Sequence, residues 1–164
     1  MSLWTISLPD ANRPVWHGRN FGWYALASLG TFRALCAARW RLRTLLPRDI
    51  GEANDQAARD GLAPDRLDKK GQAFVEQMRR VVPRIARLCP FRSDCLVQAL
   101  AGQELLLNHR IASRIVLAAE NVEAGNFQPH ALLMVDDIAV TGGDPGQFTA
   151  LYGEIEPDES SGKI

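Results

Sequence analysis

The hydrophobic pattern changes period along the chain, and each change marks an element. From Phe21 to Ala38 the residues are almost continuously apolar, broken by Arg33 and weakened as a helix by Gly22 and Gly30, which predicts a core or interface helix rather than a membrane span. Phe32, Leu35, Arg39, Leu42 and Leu46 fall near helical spacing, so an amphipathic helix is expected here, ending at Pro47. The polar text NDQAARDGLAPDRLDKK from Asn54 to Lys70, with Gly61 and Pro64, suits a mobile connection or a short exposed helix. Phe74, Met78, Val81 or Val82, Ile85 and Leu88 then recur at three- and four-residue steps. This is a second amphipathic helix, which Pro83 should kink or start afresh. In CPFRSDCLVQALAGQELLLNHR the apolar residues lie almost all round, as in a helix at the centre of a domain. Ser93 and Asp94 are its N-cap candidates, and they put Cys95 in the first turn.

Beyond that helix the period shortens. IASRIVLAA is rich in β-branched and small residues, HALLMV and IAVT are joined by Asp136 and Asp137 in a tight turn, and FTALYGEI follows a Gly/Asp/Pro break. Three or four short, mostly antiparallel strands are expected, giving an α+β domain. Residues 1–70 read as a helical extension and linker, 71–155 as the core that carries the chemistry, and 156–164 as a frayed acidic tail.

Composition narrows the function classes. The 164 residues are 46% hydrophobic and 23% charged, enough for one domain that buries roughly two-thirds of its unfolded surface without staples. Lys plus Arg and Asp plus Glu number 19 each, so no overall field attracts nucleic acid or an anionic membrane. The balance is local, however. Between Arg33 and Arg48 there are five arginines and no acid, either a solvated face beside a core stripe or a docking surface for an acidic peptide or protein. Cys36, Cys89 and Cys95 form neither a disulfide framework nor a zinc spacing, and with no basic n-region at the N-terminus a reducing, cytoplasmic setting is expected. No metal or other cofactor is called for.

Chemistry enters with Cys95. At the start of a buried helix, unpaired N–H groups and the positive end of the dipole stabilise a thiolate and can hold an oxyanion, although Asp94 opposes the first effect. The alternative is a small buried hydrophobe. A thiolate needs a proton acceptor. His109 lies about 20 Å away at the far end of the same helix, and His17 sits in a segment rich in Trp, Gly and Pro. His130 opens a predicted strand that fixes its direction, so it is the best partner. If Asp136 and Asp137 form a hairpin turn, Gly142 to Asp144 return opposite His130. Asp144 is then the orienting acid by position, or an ordinary turn residue of Asp144-Pro145-Gly146.

The stretch VVPRIARLCPFRSDCLVQALAGQELLLNHRIASRIVLAAEN, followed by FQPHALLMVDDIAV, resembles the transglutaminase-like cysteine peptidases of lasso-peptide biosynthesis, the B proteins or leader peptidases. The resemblance is close from about residue 75 onward and general in FRALCAARWRLRTLLPRDI. It implies a papain/transglutaminase-like fold, with the cysteine on a central helix packed against a small antiparallel sheet. It implies Cys95 as nucleophile and His130 as general base, acting with an aspartate to cut the leader from a ribosomally made precursor peptide. Two departures stand out. The family text His-Ala-Trp-Val-Glu is here His130-Ala131-Leu132-Leu133-Met134, and the family aspartate falls about two residues before Asp144, at Gly142. Either a longer hairpin lets Asp144 fill the role or the triad is incomplete. In the second case the chain is a weakened module that binds or presents the leader.

Some members carry a small winged-helix-like leader-binding domain, for which the residues ahead of Phe32 are too few. The resemblance therefore implies the stand-alone peptidase, with a separate leader-recognition protein and an ATP-dependent macrocyclase as partners.

Overall fold

In a computed structural model, residues 21–63, 66–120 and 129–152 are described. His17 and the tail 156–164 lie outside them. Four helices precede a four-stranded sheet: α1 (Phe21–Arg41), α2 (Pro47–Asp60), α3 (Lys69–Leu88), α4 (Cys95–Asn108), β1 (Arg114–Glu120), β2 (Pro129–Val135), β3 (Ile138–Thr141) and β4 (Phe148–Tyr152). The sheet order is β3-β2-β1-β4, and every pairing is antiparallel, as the short strands and the Asp136-Asp137 turn predict. No described helix is long and apolar enough to cross a membrane.

The core lies between the helices and one face of the sheet. Strand alternation sends Ile115, Ala131, Leu133 and Val135 to that face, where they meet Val97, Leu100, Ala101 and Leu106 of α4, Phe74, Met78 and Val82 of α3, and Leu35 of α1. Val116, Ala118, Leu132 and Met134 form a second cluster on the other face. Helix α4 is central because it is apolar nearly all round and is packed by α1, α3, β2 and β3. At Gly102 an added Cβ would lie 2.5 Å from Leu133 Cδ2, so the missing side chain lets helix and strand approach closely.

Two boundaries differ from the sequence expectation. Helix α1 stops at Arg41, well before Pro47, and Pro47 instead opens α2, where a first-turn proline loses no intrahelical bond. The polar text from Asn54 therefore begins inside a helix, and its polarity serves a purpose. Asn54 Nδ2 donates to Ile115 O at 2.9 Å and Asn54 Oδ1 accepts from Ile115 N at 2.7 Å. The side-chain amide thus completes the edge of β1 where β4 does not pair with it. Gln103 Nε2 joins this group, donating to Asn54 Oδ1 at 3.0 Å and Ser113 O at 3.3 Å. The segment after α2 is pinned by Leu62 N to Arg110 O at 2.6 Å and Ala112 N to Leu62 O at 3.1 Å. Pro83 neither stops nor restarts α3, which runs unbroken from its Asp68 cap, whose Oδ1 accepts from Gly71 N at 2.8 Å.

Candidate active site

Cys95 is the first residue of α4 and half-buried. Asp94 occupies the N-cap position, but its side chain makes no capping bond and lies 3.3 Å from Arg92 Nε. Ser93 contributes its carbonyl, not its hydroxyl: Ser93 O accepts from Gln98 Nε2 at 2.8 Å, while the buried Oγ has no partner. The first amides of α4 therefore carry no side-chain cap, which leaves them free to bind a developing oxyanion beside Cys95.

His130 lies at the same end of the molecule, as the chain path requires. Helix α4 ends near Ser113, which is bonded to Gln103, and β1 then runs back alongside it. Strand β2 is antiparallel to β1, with Arg114 opposite Met134 and Ala118 opposite His130, so α4 and β2 run in the same direction. Gly102 marks the level of Leu133. From there, seven residues back along the helix and three back along the strand are each about 10 Å, so the two backbones share a level, but the odd step along β2 turns the His130 side chain to the face away from α4.

The imidazole is held on two sides. Its ring stacks on Phe148, with centroids 4.6 Å apart and planes within 4°. Its Nε2 lies 2.6 Å from Gly142 O. A carbonyl can only accept, so Nε2 carries the hydrogen and Nδ1 is left as the basic nitrogen of the neutral ring. Alternation gives His130 the side of Leu132 and Met134, and no hydrogen bond joins it to Cys95 Sγ among the described residues.

The hairpin behind this geometry follows the sequence expectation. Asp136 and Asp137 make a two-residue turn, with Asp136 at φ 57°, and β3 returns to pair Thr141 with Leu133. Gly142 follows at φ 102° and Gly143 at φ 95°, both in the region that favours glycine. A Cβ on Gly142 would meet Ala131 O at 2.6 Å and Leu132 Cδ2 at 2.7 Å. Only glycine can bring its carbonyl to His130 along this path. Asp144 is close in sequence, but its carboxylate is engaged elsewhere. It caps a single 3-10 turn, Pro145–Gln147, with Oδ1 accepting from Gly146 N at 3.1 Å. The structure therefore joins His130 to Gly142 and Phe148 on the face of the sheet turned away from the helices, leaves Cys95 on the helix side, and does not bond Asp144 to the ring.

A sequence profile of the transglutaminase-like superfamily matches residues 31–153. The chain belongs to the transglutaminase-like superfamily. The match begins midway along α1 and ends just beyond β4, so it takes in the second half of α1, the other three helices and the sheet. The central helix on a small antiparallel sheet is the fold that the resemblance implies. No curated protein and no solved structure matches the chain.

Gly142 and Phe148 are the two contacts of His130 that residue types alone do not reveal. The Gly142-Gly143 pair after a β-branched strand was the available signal, because paired glycines at a strand end mark positive φ. Phe148 had none, since its contact crosses β1.

Proposed function

We propose that this transglutaminase-like domain is a cysteine peptidase that removes the leader from a ribosomally synthesised precursor peptide, as in lasso-peptide maturation, in the cytoplasm. Two observations support the reading: an uncapped helix N-terminus bearing Cys95, and a histidine whose Nε2 is tied to Gly142 O at 2.6 Å, leaving Nδ1 as base.

The steps balance with these groups alone. His130 Nδ1 takes the Cys95 thiol proton, and Sγ attacks the carbonyl of the last leader residue while the α4 amides hold the oxyanion. The tetrahedral adduct collapses to a thioester, and His130 returns the proton to the leaving amine of the mature segment. Water, losing a proton to His130, then attacks the thioester, releasing the leader acid and restoring the thiol. The catalytic residues are Cys95 and His130. In the structure Cys95 packs with the helix-side core and His130 lies on the other face of the sheet, so this chemistry requires the start of β2 to turn its imidazole around the sheet end toward α4 in the substrate complex. Asp144 serves as a positioning residue, holding the turn that follows the Gly142 carbonyl. A separate leader-recognition protein delivers the precursor, and the freed amine passes to an ATP-dependent macrocyclase.

A second reading rests on the neutral carbonyl where the family has a carboxylate: the domain binds or presents the leader and cuts poorly, if at all. One experiment separates the two. The full chain is incubated with a co-encoded precursor and leader-binding protein, and the products are weighed beside those of Cys95→Ala. Release of leader acid by the wild type alone supports the peptidase. Equal cutting by both, or by neither, overturns it.

A further inference from the structure

Helix α1 buries one apolar face and leaves a second, aromatic and basic face open. Thr31, Ala34, Leu35 and Ala38, at steps of three and four, are all buried. Phe32, Cys36 and Arg39 make a second row at steps of four and three, displaced around the axis from the first, and Arg43 follows in the turn after the helix. This row is open. Phe32 and the neighbouring Trp40 are 37% and 70% exposed, although both are large and apolar.

The second row is concave and positively charged. Cys36, Arg39, Trp40, Leu42, Arg43 and Phe91 line a surface hollow of about 330 Å³, room for a few side chains. Phe32 extends it, its ring 6.5 Å from that of Phe91. The guanidinium of Arg43 lies 4.8 Å above the Trp40 ring, a cation held over an aromatic face. Of the five arginines between 33 and 48, Arg41 lies 4.0 Å from Glu104 and Arg48 lies 3.7 Å from Asp49. Arg33, Arg39 and Arg43 have no acidic partner among the described residues.

We propose that this face of α1 is a docking groove for an acidic peptide segment that carries a large apolar anchor. The anchor enters the hollow between Trp40 and Phe91, and its flanking carboxylates pair with Arg39 and Arg43. Aromatic and arginine side chains around a desolvated centre are what make a strong contact at a protein interface. The charge sets the sign of the partner, and the hollow sets its kind: an anionic bilayer needs no cavity, and nucleic acid offers no aliphatic anchor. The groove is lined by α1, the turn after it and Phe91, contains neither Cys95 nor His130, and does not depend on what those two do.

The test is an array of synthetic peptides whose net charge and number of leucines vary independently, probed with the full chain. Binding should require both acidic residues and a leucine, and it should weaken as salt is raised. It should fall at least about tenfold in Trp40→Ala and in the Arg39→Glu/Arg43→Glu double variant, all at exposed positions, with unchanged melting curves. A bound peptide should also slow alkylation of Cys36 in the hollow. Equal binding of basic peptides overturns the proposal, as does binding unaffected by both variants, or no peptide binding at all. It is also overturned if Trp40→Ala abolishes only adsorption to phosphatidylserine vesicles, or only self-association in sedimentation.

Discussion

Replacing Gly142 and Gly143 by alanine, one at a time, should give unequal losses, because the two share a backbone conformation but not a neighbourhood. Both have strongly positive φ, 102° and 95°, so a Cβ strains each backbone by about 1–2 kcal/mol. At Gly143 nothing lies within 4 Å of the added atom, and that strain is the whole cost. At Gly142 the atom would fall 2.6 Å from Ala131 O and 3.0 Å from Leu132 Cα, backbone atoms that cannot swing aside. Relieving the overlap costs about 1–3 kcal/mol more and draws the Gly142 carbonyl off His130 Nε2. Urea unfolding followed by circular dichroism should therefore show Gly143→Ala less stable by about 1–2 kcal/mol and Gly142→Ala by about 2–5 kcal/mol. The His130 ring resonances should move only in Gly142→Ala. Equal losses, or an unmoved imidazole in Gly142→Ala, would refute the assignment of this carbonyl as the anchor of the ring.

Three further outcomes follow from named contacts. Asn54→Ala strips partners from the buried N–H and C=O of Ile115, at about 1–3 kcal/mol for each, so unfolding should come easier by about 2–6 kcal/mol; a loss under 1 kcal/mol would mean that water replaces the amide. His109 lies against Phe74, ring centroids 3.8 Å apart, and burial of that face lowers its pKa below 6.5. The unfolded chain then binds more protons between the lowered pKa and 6.5, so this contribution is intact above 6.5 and lost as pH falls through the window. His109→Phe should keep the stack and flatten that part of the pH–stability curve. For Asp144, a turn-holding role predicts that Asn, which can still accept from Gly146 N, retains cleavage while Ala slows it; a charged orienter would lose with both.

Legibility in the sequence followed the reach of each contact. The all-round apolar text of α4 and the short apolar runs of β2 and β3 on either side of Asp136 and Asp137 are local patterns, so the central helix and the hairpin could be read directly. The end of α1 could not, because Leu42 and Leu45 continue to pack on the core after the helix stops at Arg41, and apolar spacing does not separate a helix from a packed turn. Asn54 looked like linker because its partner, the edge of β1, is 61 residues away. The third contact of the site was hidden for a different reason. A search for an orienting acid looks for a carboxylate, and here the group on the ring is a backbone carbonyl, which has no side chain to read. Asp144 was visible for its type, yet its oxygen serves a local turn.

Reactivity of the three thiols tests the Cys95–His130 pair most directly. The folded chain is treated with limiting iodoacetamide over a range below about pH 8, where an ordinary thiol is mostly protonated, and the label on each cysteine is counted by mass spectrometry. Cys36, Cys89 and Cys95 are all half-buried, so access alone does not favour one of them strongly. Cys95 should be alkylated at least about tenfold faster than the other two, and His130→Ala should remove that advantage while leaving Cys36 and Cys89 unchanged. Three similar rates, or a fast Cys95 indifferent to His130, would contradict the pairing.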